Sequence, residues 1–162
     1  MPRPPHIPQS VTITCVTEHK TRYLSLLLLA DEQESMINRY LSRGRLYVMT
    51  RPAQSDAVIA VAVVTDEGQG TLELKNLAVA PAFQRQGYGK MMIEYLASLY
   101  RTTHRILLVG TGDSPLPLPF YHRCGFTYSH TLPDFFTRHY DHPIIEGGRR
   151  LRHMICLKRP LR

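Results

Sequence analysis

The sequence predicts an α/β (α+β) domain on a mixed, mostly antiparallel central sheet of about six to seven strands, flanked by helices. Two observations predict it. The middle of the chain is a run of apolar, β-branched segments separated by turn residues, the pattern of an antiparallel meander. A helical stripe and then a buried strand follow, giving the order strand, helix, three strands, helix, strand, short helix, strands.

Residues 11–16 (VTITCV) alternate apolar and polar, as a half-buried first strand does. Residues 23–30 are too apolar and too short to classify by period. Asp31 with Glu34 three positions on resembles a capping box, and Met36, Ile37, Tyr40 and Leu41 give the following helix its apolar face. Gly44 is expected to end it. Residues 45–50 and 56–65 read as strands, and the turn residues 66–70 lead into a third over 71–79. A helix is expected over about 87–101, a buried strand at 105–109, and two closing strands at 125–129 and 151–157. The connection 131–148 contains Pro133, Pro143 and paired glycines, and a loop of that length suits a binding surface or a homodimer contact.

A chain of 162 residues is expected to form one domain, here 11–162. Residues 1–10 hold four prolines and read as a flexible lead-in rather than a secretion signal. No apolar run approaches a membrane span. The three separated cysteines, Cys15, Cys124 and Cys156, fit neither a disulfide framework nor a thiolate metal site, and point to a reducing cytoplasm. The net charge of +7 suits a phosphorylated ligand. It is too scattered to predict a nucleic-acid surface. No metal is expected: His139 and His142 have ligand spacing but sit on a proline-flanked loop.

Two features carry chemistry. In the 71–79 strand, Leu72 and Leu74 share one parity while Leu77 and Val79 take the other, so the apolar phase slips near Lys75 and Asn76. A β-bulge does this; it would part the strand from its neighbour and leave the backbone of Leu77, Ala78 and Val79 free for an extended, amide-bearing ligand. Pantetheine, with two amides, is such a ligand. Next, Gln84, Arg85, Gln86, Gly87, Tyr88, Gly89 and Lys90 open an amphipathic helix. Its glycines let a ligand approach the main chain, and the free N–H groups and helix dipole favour an anion such as a diphosphate. Met91 after the lysine excludes a Walker loop, and Met92 replaces the third glycine of a dinucleotide fingerprint.

The stretch LAVAPAFQRQGYGKMMIEYL resembles the acetyl-CoA-binding signature (Q/R-x-x-G-x-G/A) of GNAT N-acetyltransferases. FYHRCGF, residues 120–126, resembles their second signature, and the element order agrees over nearly the whole chain. Residues 109–114, 134–148 and the closing segment resemble a bacterial subgroup of these enzymes. The resemblance implies the GNAT fold, splayed between the fourth and fifth core strands. It implies that acetyl-CoA contacts Leu77, Ala78 and Val79 through its acyl arm, with its diphosphate on the amides from Arg85 to Lys90. Tyr121 matches the tyrosine that protonates the leaving thiolate, and Glu73 stands where several members carry a catalytic glutamate. Glu73 could equally be a solvated partner of Lys75. Asp113 is the other candidate base, or a turn cap. Residues 115–119 (PLPLP) depart from the family pattern and shift the expected helix start to Pro119.

The chemistry of amine acylation asks for a base, an acid and a backbone donor for the carbonyl oxygen, as direct transfer in a ternary complex would use. The acceptor is a small-molecule or peptide amine; Asp134, Asp141 and Glu146 beside Phe135, Phe136 and Tyr140 suit a cation. A non-catalytic acyl-CoA-binding module on the same fold is the alternative.

Overall fold

The computed structural model describes residues 11–54 and 56–162; the lead-in expected over 1–10 lies outside them. The chain opens with β1 (Thr12–Val16), and a 3-10 turn at Lys20–Tyr23 leads into α1 (Leu24–Leu27) and then α2 (Glu34–Leu41). The meander is β2 (Arg45–Arg51), β3 (Ala57–Gly68) and β4 (Thr71–Val79). The long helix α3 (Tyr88–Tyr100) precedes β5 (Ile106–Gly112), α4 (Leu118–Arg123) and β6 (Thr127–Leu132). The late connection is structured rather than open: it holds α5 (Phe135–His139) and a small hairpin of β7 (Ile145–Glu146) and β8 (Arg149–Arg150). β9 (Met154–Pro160) closes the chain.

The main sheet has seven strands in the order β1-β2-β3-β4-β5-β9-β6. Every neighbouring pair is antiparallel except β4 and β5. β3 is central, and Ile59 to Val64 are no more than 1% exposed, so both of its faces are covered. On one face α3 seats Met92, Ile93 and Leu96 against Met49, Leu72, Leu74 and Leu107. On the other, Leu27, Ile37 and Leu41 from the first helices meet Leu46, Val61, Val63 and Ala78. Each fully buried side chain of this kind contributes about 1.5–3 kcal/mol.

Two local expectations are corrected. Asp31 does not cap α2; Gln33 is the N-cap residue and makes no side-chain cap bond. The Asp31 carboxylate instead accepts the Tyr40 hydroxyl at 3.0 Å and the Tyr140 hydroxyl at 2.7 Å. β5 also runs on through Gly110 and Gly112, which pair with Cys156 and Met154 of β9, and a Cβ at Gly110 would strike Met154 and one at Gly112 would strike Leu151. The glycines that look like strand breakers are there to admit their neighbours' side chains.

Candidate active site

β4 carries the slip in phase. Val63 pairs with Asn76 and Val64 with Leu74, so Lys75 is the extra residue of a bulge. The consequence is visible in the packing: Leu72, Leu74, Leu77 and Val79 all face the α3 side, while Asn76 and Ala78 are buried on the other. β5 pairs with β4 only from Thr71 to Leu74, and beyond that the two strands part. The Ala80 N–H donates to Ile59 O at 2.8 Å. Antiparallel alternation then turns the N–H and C=O of Ala78 toward β3 and those of Leu77 and Val79 toward the open side. Gln84 Nε2 donates to the Val79 carbonyl at 3.0 Å, which ties the strand end to the following turn.

That turn is a backbone cradle. Arg85 has φ 61° and Gly87, the N-cap of α3, has φ 88°. Reversals of this kind aim successive N–H groups at one point. The first backbone bond back from the helix is Met91 N–H to Gly87 O at 3.0 Å. The N–H groups of Arg85, Gln86, Gly87, Tyr88, Gly89 and Lys90 have no acceptor among the described residues. The glycines serve differently. Gly87 supplies the left-handed conformation in open space, whereas a Cβ on Gly89 would stand 3.1 Å from Phe120 Cζ and 3.7 Å from Val79 Cγ2. Arg51 steadies the turn: its guanidinium lies 5.2 Å from the Phe83 ring centre and 5.7 Å from that of Tyr88, and Nη2 donates to the Tyr88 hydroxyl.

A cleft of about 640 Å³ runs from the parted end of β4 to this cradle. Leu77, Val79, Gln84, Arg85, Gly87, Tyr88, Gly89 and Lys90 line it, with Phe83, Phe120, Tyr121, Arg123 and Cys124. Of the sequence-derived cofactor residues, Ala78 and Gln86 do not: Ala78 is 4% exposed on the opposite face, and the Gln86 side chain donates to Ala82 O at 3.2 Å. Arg85, Lys90 and Arg123 give the cleft three cations around unsatisfied donors, which is the donor set that linked phosphates require.

Tyr121 is held by the way α4 ends. Phe126 N–H donates to Tyr121 O and Gly125 N–H to His122 O, both at 3.0 Å, with Gly125 at φ 87°. This is a Schellman motif, and it gives the YHRCGF segment a physical meaning. The glycine supplies the left-handed residue, and Phe126 folds back on the tyrosine with ring centres 5.5 Å apart. Burial pushes the Tyr121 phenol well above its ordinary value, with the Cys124 thiol adding to the shift. The hydroxyl has no hydrogen-bond partner among the described residues. Tyr121 and Pro117 also line a second cavity of about 330 Å³, so the tyrosine stands where the two meet.

Glu73 lies elsewhere. Its carboxylate pairs with Lys75 and lines a neighbouring cavity with Asp31 and Tyr140; Lys75 reaches both that cavity and the one beside Tyr121. Asp113 accepts the Arg152 N–H at 3.0 Å. Burial raises its carboxyl, but backbone N–H groups of Arg152, His153 and Asp113 itself outweigh it and leave the value lowered. His139 and His142 take separate partners, Arg39 at 3.4 Å and the pair Asp141 (2.6 Å) and Glu32 (3.0 Å). Sequence reasoning missed Arg51, which no local motif marks, passed over Phe83 and Arg123 although both lie inside the two quoted stretches, and misread Asp31.

The fold agrees with the comparisons. The GNAT acetyltransferase domain model matches residues 42–128. The uncharacterized N-acetyltransferase YvbK of Bacillus subtilis is 32% identical over 151 residues, 92% of this chain and 96% of the relative. A GNAT acetyltransferase of Elizabethkingia anophelis, solved with acetyl-CoA bound, superposes with a TM-score of 0.87 at 31% identity, over 94% of this chain and 99% of that one. A Bacillus cereus protein described as an IAA acetyltransferase does so with a TM-score of 0.83 at 36% identity, over 93% and 99%. The parted strand, the amide cradle and these relatives lead to one conclusion: the chain is an acyltransferase and belongs to the GNAT acetyltransferase family.

Proposed function

We propose that the protein moves an acetyl group from acetyl-CoA to a primary amine by direct transfer in a ternary complex. The observation that carries this reading is the run of N–H groups from Arg85 to Lys90 without acceptors among the described residues, beside a stretch of β4 left open on its β5 side. The cradle would hold the diphosphate with Arg85, Lys90 and Arg123. The edge at Leu77 and Val79 would pair with the pantetheine amides, and a Val79 N–H would polarise the carbonyl. Acetyl-CoA supplies the activated acyl group; the protein's own residues manage protons and orientation.

Tyr121 is the proposed acid. Its phenol stays protonated at working pH, and it stands between the cofactor cleft and the second cavity, where a leaving thiolate would need a proton. Glu73 is the proposed base; it lines the neighbouring cavity, paired with Lys75, which reaches the cavity beside Tyr121, so the amine proton would pass to it through water. For Asp113 the contacts favour holding the Arg152 segment, since a carboxyl with a lowered value and committed acceptors is a weak base. We place the protein in the cytoplasm on the basis of three unpaired cysteines, two of them buried.

The test is thiol release from acetyl-CoA across an amine panel, with cofactor binding followed by thermal shift. Stabilisation by acetyl-CoA with thiol released by some amine supports the reading. Stabilisation without release from any amine would instead make the protein an acyl-CoA-binding module.

A further inference from the structure

Resting on the reading above, the acceptor can be narrowed from the second cavity. Its walls are acidic in a chain of net charge +7. Asp31, Glu32 and Glu146 line it; Glu32 is answered by His142 at 3.0 Å from outside the lining, and the one cation in the lining, Lys75, is already matched by Glu73 and by Glu67 at 3.5 Å. Phe136 and Tyr140 form an aromatic wall, their rings 5.4 Å apart and inclined by 27°.

Two carboxylates are set up for something more. Glu146 Oε2 is buried and has no hydrogen-bond partner among the described residues. A carboxylate oxygen left so is costly unless a donor arrives. Asp31 is fixed by the Tyr40 and Tyr140 hydroxyls, and Asn76 Nδ2 on the β4 bulge donates to Tyr40 Oη at 3.0 Å, which anchors this anion to the strand that opens the cleft. Burial pushes the Asp31 carboxyl above its ordinary value against the pull of both hydroxyls, and an ammonium beside it would lower it again. A single reacting amine at the Tyr121 end would leave these groups unanswered, because it must be neutral to attack.

We propose that the acceptor is a short diamine or polyamine whose second, non-reacting ammonium is held by Asp31 and Glu146 against the Tyr140 and Phe136 rings. The volume of about 330 Å³ lies at the small end of ligand sites and suits a compact chain rather than a folded protein surface.

The experiment compares putrescine with butylamine, which has the same carbon chain and one amine. Thiol release gives kcat/KM for each, and calorimetry gives the binding of each to CoA-loaded protein. The expected result is a preference for putrescine of at least about tenfold, the size of one good charged contact, brought toward parity in Asp31→Asn and in Glu146→Gln. The wild-type ratio decides without either variant should one fold poorly. Thiol release with both amines at equal efficiency, or a preference that survives both substitutions, overturns the proposal and leaves amine acetylation standing. If neither amine releases thiol, the transferase reading is left to the wider amine panel. Calorimetry then decides: tighter putrescine binding that both variants weaken supports the second-cation site, and equal or absent binding of the two amines overturns it.

Discussion

Replacing Gly89 with glutamate places a carboxylate at the mouth of the amide cradle. A Cβ there stands 3.1 Å from Phe120 Cζ, the far end of a ring that lines the cleft and can turn aside, so the helix is expected to survive. The new charge faces the site proposed for two phosphates. A pair of unit charges about 4 Å apart costs about 1 kcal/mol in water and about 4 kcal/mol near a protein surface. Two phosphate charges therefore cost at least about 2 kcal/mol, and at 1.4 kcal/mol per decade affinity for acetyl-CoA falls at least about thirtyfold. Gly89→Gln has nearly the same bulk and no charge, so the gap between the two variants isolates the electrostatic part. Calorimetry at low and high salt measures it, and the gap should narrow as salt screens the charge. Equal losses in the two variants, or wild-type affinity in Gly89→Glu, would refute the reasoning.

Tyr121→Phe should lower kcat about a hundredfold or more, as loss of a general acid does, while the acetyl-CoA dissociation constant barely changes; a structural part alone would move neither. Gly87→Ala forces an L side chain to φ 88° in open space, at about 1–2 kcal/mol. The melting temperature should fall by roughly 2–8 °C for a chain of this size, and no change in calorimetric scans would remove the strain argument. Glu94 accepts two N–H groups from Arg159, at 2.7 and 3.1 Å, and this holds its carboxyl below the ordinary value. A lowered carboxyl stabilises the fold above its unfolded value and loses that contribution as pH falls through the folded one. Urea midpoints of Glu94→Gln should therefore converge on those of the parent as pH falls below the ordinary glutamate value of about 4.3; a constant separation at every pH would contradict the ion-pair account.

Much of the site is legible in the sequence because its causes are local. The parity change between Leu74 and Leu77 needs only the period-two rule, and the bulge at Lys75 is its direct cause. Gly87 and Gly89 mark the cradle within one helical turn. The YHRCGF segment marks Tyr121 because a helix stop is written in consecutive residues. What could not be read depends on distance. Asp31 and Glu34 mimic a cap, but the partners that claim Asp31 are Tyr40 and Tyr140, the second 109 residues away. The extension of β5 through Gly110 and Gly112 depends on pairing with β9, which arrives only when the chain returns. The short elements in the late connection have too few residues for periodicity to register. The orphaned oxygen of Glu146 exists only once the hairpin has closed over the second cavity.

The most direct test of the account is a crystal structure of the protein with coenzyme A bound. The diphosphate oxygens should lie about 3 Å from main-chain nitrogens between Arg85 and Lys90, with the pantetheine arm paired along Leu77 and Val79. Phosphates bound elsewhere, with that turn filled by side chains of the same molecule, would contradict it.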